Sequence, residues 1–338
     1  MATIYRPHLW SIAMKAAIVT RYGAPAVVEI RDIATPRAKP GQVVVRQHAT
    51  TVTSGDSRIR SANMPPGFGL ILRLVFGLTG PRQPILGICV AGEVAEVGPG
   101  VTSVSLGDKV LATTGFAMRA HAEYVAIKAD RLVALPQGLT MAEAAALPFG
   151  ALTALYYLRN RAKLAPGESV LVIGASGAVG AAAVQLARHF GAKVTGVSSA
   201  SNADLVRAHG AETVIDYQTQ DFRLMAQRFD VIVDCTGAAT AETCRDALVP
   251  GGRLCLVVAS LAYQITAAWH SRRSGVKVIA GVGGEAPADL RYLADLAASG
   301  PLRPHIGATF PFARIAEAHA LAETGHKRGN TVITFDGP

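Results

Sequence analysis

Ser169 to Phe190 reads SVLVIGASGAVGAAAVQLARHF. An unbroken apolar strand comes first, then a glycine-spaced turn, then alanine-rich helical sequence. A strand with no polar alternation is buried on both faces, as in a parallel sheet covered by helices. Gly174, Gly177 and Gly180 let backbone amides approach a pyrophosphate, and the N-terminus of the following helix adds partial positive charge. Gly180 and the alanines behind it allow that helix to pack tightly on the sheet. A glycine triplet alone is a weak signal, because such turns also occur without ligand. Here a complete βαβ unit follows, so a dinucleotide site is expected over Gly174, Ser176, Gly177, Ala178, Val179 and Gly180.

Downstream, KVTGVSS, NADLVRAH, ETVIDY, FDVIVDCTG, AETCRDALVPGG and RLCLVVAS continue the alternation of strand and helix. This predicts an α/β fold with a Rossmann-type, doubly wound parallel sheet. A strand over GVKVIAG, a helix over ADLRYLADLAAS and a last strand over NTVITF complete the chain. Upstream, from Lys15 to about Pro136, short runs such as KAAIVT, QVVVRQHA and DKVLAT lie between Gly, Pro and Asp turns. That pattern predicts a compact barrel-like β domain. Thr140 with Glu143 three residues on has capping-box spacing and opens a helix between the two regions. The expected division is a β domain over 14–137 and 285–338, a dinucleotide domain over 138–284, and an extension of no fold value over 1–13.

The second strand of the βαβ unit bears on the cofactor. A carboxylate about 20 residues on would hold the ribose 2′-hydroxyl of NADH. This chain has Ser198, Ser199 and Asn202 there, and small polar groups tolerate a 2′-phosphate that a carboxylate would repel. Tyr217 closes the next strand and is expected against the adenosine phosphate. NADPH is favoured, with NADH as the alternative, although the nearest basic residue in this segment is Arg207.

In 338 residues, half are hydrophobic and 17% charged, a well-packed globular composition. The net charge of +9 suits an anionic ligand. The basic residues are scattered, and no Lys/Arg run interleaves with aromatics, which speaks against nucleic acid. Cysteines at 89, 235, 244 and 255 form no C-x-x-C pair, as expected for free thiols in a reducing cytoplasm. GFGLILRLVFGLTG, 67–80, is too short to span a bilayer; a buried segment or an apolar lid is expected instead.

MKAAIVTRYG, LGICVAGEVAEVGPGVTSVSLGDKV, AEYVAI, ALTAL, the glycine turn, VIDY, FDVIVDCTG, LVPGGRL and GHKRGNTVI follow one another in order. Together they resemble the medium-chain dehydrogenase/reductase superfamily, nearest to its zinc-independent quinone oxidoreductase-like and enoyl reductase-like branch. The resemblance implies a GroES-like N-terminal domain, a Rossmann domain, a cleft between them, and a homodimer through edge strands near Val276 to Ala280. Zinc-dependent members carry Gly-His-Glu where this chain has Gly87-Ile88-Cys89, and a further cysteine in the segment matching TTVTSGD. Zinc needs several N, S or O ligands converging tetrahedrally, so no metal is expected. Cys89, by itself readable as a metal ligand, a nucleophile or plain core, becomes a wall residue of the cleft. Thr53 stands where family members often have asparagine near the nicotinamide, and Arg58 where some have an active-site tyrosine. These two are the catalytic candidates, while Asp56 is expected to hold their loop. Thr153 matches a threonine beside the nicotinamide. Thr236, Gly237, Val258 and Asn330 are expected at strand ends lining the cofactor, and Lys327 and Arg328 near its phosphates. His48 and His121 are expected to be structural.

Without a metal, hydride delivery to a quinone or an α,β-unsaturated carbonyl compound is the expected chemistry, with 60–84 as a lid over a small hydrophobic substrate. A 2-enoyl-thioester reductase and a non-catalytic NADPH- or RNA-binding protein are the alternatives.

Overall fold

The computed structural model describes residues 13–335 except residue 282. The N-terminal extension expected over 1–13 therefore lies outside the described residues but for Ala13, which opens the first strand.

A two-stranded antiparallel ribbon, β1 (Ala13–Ile18) and β2 (Glu29–Ala34), leads into the β domain. Its main sheet contains β3 (Gln42–Val52), β4 (Cys89–Val97), β5 (Lys109–Thr113), β6 (Tyr124–Lys128) and β7 (Val133–Ala134). Two strands from the far end of the chain, β14 (Ile306–Pro311) and β15 (Asn330–Thr334), complete it in the order β14-β15-β3-β4-β5-β7, with β6 also paired to β3. β15 runs antiparallel to β3 with Thr331 opposite Val52, so the chain does return to its first domain. Alternation explains the strands: Val43 and Val45 are buried with Val90, Val94, Val110 and Val125.

Two short helices interrupt the β domain, α1 (Ser54–Ser61) and α2 (Gly69–Phe76). α1 carries a capping box, with Thr53 as N-cap and Asp56 as its reciprocal acceptor. α2 corrects the expectation of a buried segment. Leu72 is buried, whereas Leu70, Leu74, Val75 and the following Leu78 are exposed. The segment before it reaches the second domain, where Leu261 donates its N–H to the Pro66 carbonyl at 3.0 Å.

The second domain holds a six-stranded parallel sheet in the order β10-β9-β8-β11-β12-β13. Its strands are β8 (Ser169–Ile173), β9 (Lys193–Ser198), β10 (Thr213–Asp216), β11 (Phe229–Asp234), β12 (Leu248–Leu256) and β13 (Lys277–Ala280). β8 lies between β9 and β11, so strand order reverses at its C-terminal end, where ligands of such sheets bind. Helices α4 (Ala178–His189), α5 (Ala203–Ala208), α6 (Ala241–Cys244) and α7 (Leu261–Ser274) pack on it, α3 (Met141–Leu155) lies between α4 and strands β3 and β4, α8 (Pro287–Ser299) packs on α3 and β7, and α9 (Ile315–Glu323) packs in the β domain. The Thr140–Glu143 capping box opens α3 as expected. Met141–Arg161 is, among the described residues, the one helical stretch long and apolar enough to cross a membrane, and 67% of its apolar window is buried inside the protein. That is how the core helix of a globular domain reads.

Two local expectations differ from the structure. AETCRDALVPGG is helical only over Ala241–Cys244 and a short turn after it, and Val249 to Gly252 already belong to β12. Helix α7 carried no signal, because none of its residues is buried and no apolar period marks it.

Candidate active site

The glycine turn ends β8 and starts α4. Gly174 has φ +77°, a left-handed conformation that glycine adopts freely. At Gly180 a Cβ would overlap the Gly174 carbonyl oxygen, so this position keeps the helix against the turn. Gly177, the N-cap of α4, has no side-chain cap, and a Cβ there would meet nothing nearer than 3.5 Å. Its openness leaves a cradle for an outside group. Ala178 and Val179 are buried beneath it.

Around the cradle the predicted binding residues converge. Asn202 donates from Nδ2 to Ser176 Oγ at 3.3 Å and to Ser199 Oγ at 3.1 Å, while its buried Oδ1 has no partner. Ser198 is buried and bonded to the Ser199 carbonyl. Tyr217 is 56% exposed and tied by its backbone to Ser198. Arg207 stays on α5, paired with Asp204. At the ends of β11 and β12, Asp234 is fully buried and accepts from Thr236 N, Thr236 Oγ1, Gly237 N and Ala239 N. Gly237 lies against Val258. These contacts and the orphaned Asn202 oxygen fit a dinucleotide laid across the switch point.

The C-terminal segment closes the cradle from the other domain. Gly329 donates its N–H to the Ser176 carbonyl at 2.8 Å and bridges Gly177. Asn330 is buried, its Nδ2 bonded to the His305 carbonyl at 3.1 Å. Arg328 reaches the Ser201 carbonyl at 3.4 Å, which brings a cation from distant sequence to the loop after β9. The neighbouring Lys327 is half-buried, and burial lowers its pKa against the opposing pull of Asp56.

Cys89 is the hub of the substrate half. It is fully buried, and burial with the Asp56 and Glu285 carboxylates nearby pushes its thiol up to about 12, against the Thr51 hydroxyl and the Phe149 backbone. Such a thiol is neither a nucleophile nor a ready metal ligand. On α3, Thr153 donates Oγ1 to the Phe149 carbonyl at 2.8 Å. Thr53 is buried and its hydroxyl proton is committed to Asp56 Oδ2 at 2.6 Å. Asp56 accepts two further bonds, from Thr53 N at 2.8 Å and Gly87 N at 3.0 Å, and so ties α1 to the strand entering the cleft. Arg58 is half-buried, which lowers its pKa. Glu285 carries no sequence signal beyond the glycines before it. It accepts from Thr113 Oγ1 at 3.3 Å, beside Arg131, and burial raises its carboxyl.

His121 is buried with Nε2 on the Thr51 carbonyl at 3.0 Å, and His48 sits beside Glu93 and Arg46. Among the described residues no group of three or more His, Cys, Asp or Glu is placed to hold a metal ion, and Ile88 and Thr53 offer no strong metal ligand. The donor set does not fit zinc.

A glycine cradle at the switch point of a parallel sheet, met by Gly329 at the start of a β-domain strand, is the arrangement of an oxidoreductase that uses a pyridine nucleotide. Comparison with known proteins gives the lineage. The family described as alcohol dehydrogenase GroES-like domain matches residues 39–137, and that described as zinc-binding dehydrogenase matches residues 209–333. A quinone oxidoreductase of Pseudomonas aeruginosa is 32% identical, aligned over 92% of this chain and 97% of its own. A 2-methylene-furan-3-one reductase of Solanum lycopersicum is 31% identical over 95% of this chain and 79% of its own. The solved quinone oxidoreductase of Coxiella burnetii superposes with a TM-score of 0.84 at 30% identity, covering 96% of this chain and 99% of that one. The chain belongs to the medium-chain dehydrogenase/reductase superfamily, in its quinone oxidoreductase-like branch.

Proposed function

We propose that the protein is a zinc-independent, NADPH-dependent reductase of quinones or α,β-unsaturated carbonyl compounds. The observation that carries this reading is the composition of the cleft wall: a buried, protonated Cys89 beside Ile88 and Thr53, where metal-assisted alcohol oxidation would need a converging donor set. The names of the Pseudomonas, tomato and Coxiella proteins, two quinone oxidoreductases and a reductase of a methylene-furanone, point to the same substrate class. When bound, the dinucleotide supplies a hydride. The chain's own part is to hold the two partners in line, exclude water and set a donor where negative charge develops. The exposed apolar face of α2 and the bond of the preceding Pro66 to Leu261 support a cover for a hydrophobic acceptor. β13 is an edge strand and supports a homodimer by edge pairing. The four free cysteines support a reducing, cytoplasmic location.

Oxidation of NADPH and NADH followed with a quinone, a simple enone, a 2-enoyl thioester and an aldehyde, with chelator present, tests the reading. Turnover of quinone or enone that survives chelation is expected. Activity confined to the thioester, or lost on chelation, overturns it.

The NADPH preference rests on Arg328 beside the Ser199, Ser201 and Asn202 corner. Loss of one charge-assisted contact to a 2′-phosphate costs about 1.5–3 kcal/mol, or upwards of roughly tenfold. Arg328→Ala is expected to weaken NADPH by about tenfold and leave NADH within roughly twofold, read by fluorescence titration. Equal losses for the two would assign Arg328 to the shared part of the cofactor.

A further inference from the structure

The adjacent cations Lys327 and Arg328 serve opposite ends of the cleft. Arg328 turns to the Ser201 carbonyl, at the adenosine end. Two residues beyond Lys327, Gly329 is clamped to Ser176, and at Asn330 the chain enters β15, which lies against β3 just before Thr53. The backbone at 327–330 thus runs between the glycine cradle and the N-terminus of α1. The Lys327 side chain is half-buried and, among the described residues, has no hydrogen bond and no ion pair. The groups acting on it are the Asp56 carboxylate from α1 and the Cys89 thiol from β4. The Asp56 oxygens accept from Thr53 N, Thr53 Oγ1 and Gly87 N, and not from Lys327.

A desolvated ammonium with no anion against it is costly to keep. Such a group is useful where an anion forms transiently, because a donor fixed in place needs no reorganisation as charge develops. We propose that Lys327 is a catalytic residue whose ammonium receives the oxyanion that forms on the substrate, an assignment that rests on the reductase reading above. Hydride addition at the β-carbon makes a C–H bond, and the alkene electron pair moves onto the conjugated carbonyl, giving an enolate and the oxidised cofactor. The enolate oxygen accepts a hydrogen bond from Lys327 Nζ, and water protonates the α-carbon to complete the saturated ketone. With a quinone the same ammonium faces the phenolate oxygen of the hydroquinone monoanion. Lys327 stays charged throughout. Burial lowers its pKa against the opposing pull of the Asp56 carboxylate, so activity is lost as pH rises through a value below that of an ordinary lysine.

The test uses Lys327→Met and Lys327→Arg, each checked for an unchanged thermal midpoint. The probe is 4-nitrophenol, whose phenolate absorbance reports binding of a stable oxyanion with or without NADP+. Wild type is expected to bind the phenolate at least tenfold better than Lys327→Met does, with the NADPH dissociation constant unchanged by fluorescence. kcat/KM for the enone or quinone should fall about 10²–10³-fold in Lys327→Met and recover in part in Lys327→Arg. Equal phenolate affinity in wild type and Lys327→Met overturns the assignment, and so does a tenfold loss of NADPH affinity, which would return Lys327 to the cofactor phosphates. The two titrations stand even if no acceptor is reduced, so failure of the reductase reading is separately visible.

Discussion

Gly180→Val is expected to bind NADPH at least about a hundredfold more weakly than wild type, the loss that a misplacement near 1 Å brings to a positioned group. The cause is local: any Cβ at this position overlaps the Gly174 carbonyl oxygen, so α4 must move off the turn and take its N-terminal amides along. Gly177→Ala separates ligand binding from packing. Its φ of −77° suits any residue, and its Cβ would meet only the Gly174 oxygen at 3.5 Å. This second variant should keep the wild-type thermal midpoint yet lose cofactor affinity, because its methyl fills the space a pyrophosphate needs. Fluorescence titration beside thermal unfolding reads both. Wild-type affinity in both variants would mean that the turn is structural and holds no phosphate.

Asp56→Ala carries the second large effect, on stability. The carboxylate accepts from Thr53 N, Thr53 Oγ1 and Gly87 N inside the protein, and alanine leaves these donors without an acceptor. Each buried orphan donor costs about 1–3 kcal/mol, so the three together are expected to cost at least about 3 kcal/mol. On a domain of this size that lowers the midpoint by on the order of 10 °C. Asp56→Asn keeps one acceptor oxygen and should recover part of the loss. A midpoint within about 2 °C of wild type in Asp56→Ala would show that water replaces the carboxylate and that the loop does not depend on it.

The cofactor half was the legible half. A close approach of backbone to phosphate demands glycine at consecutive, regularly spaced positions, and Gly174, Gly177 and Gly180 write that demand into seven residues. The same holds for the Thr140–Glu143 capping box, where donor and acceptor are three residues apart. The substrate half is assembled over distance. Glu285 finds Thr113 across 172 positions of sequence, and Gly87 finds Asp56 across 31. No local pattern encodes such meetings. Lys327 and Arg328 show this most clearly: as neighbours in a basic turn they read alike, and only the pairing of β15 with β3 separates their surroundings. Thr53 is a candidate by position alone, and what its sequence spacing to Asp56 does encode is the cap of α1.

The bond from Gly329 to the Ser176 carbonyl joins the phosphate turn to a strand of the other domain. Whatever stiffens the glycine turn therefore also holds β15 in its register against β3, and fraying of that strand loosens the turn. Occupancy of the cradle and integrity of the β domain are linked equilibria. A ligand that binds only the joined form stabilises both by the same RT ln(1 + [L]/Kd), so the domains should melt together, in keeping with the buried cluster that joins Ala49, Ala91 and Val332 of one to Val170 and Val172 of the other.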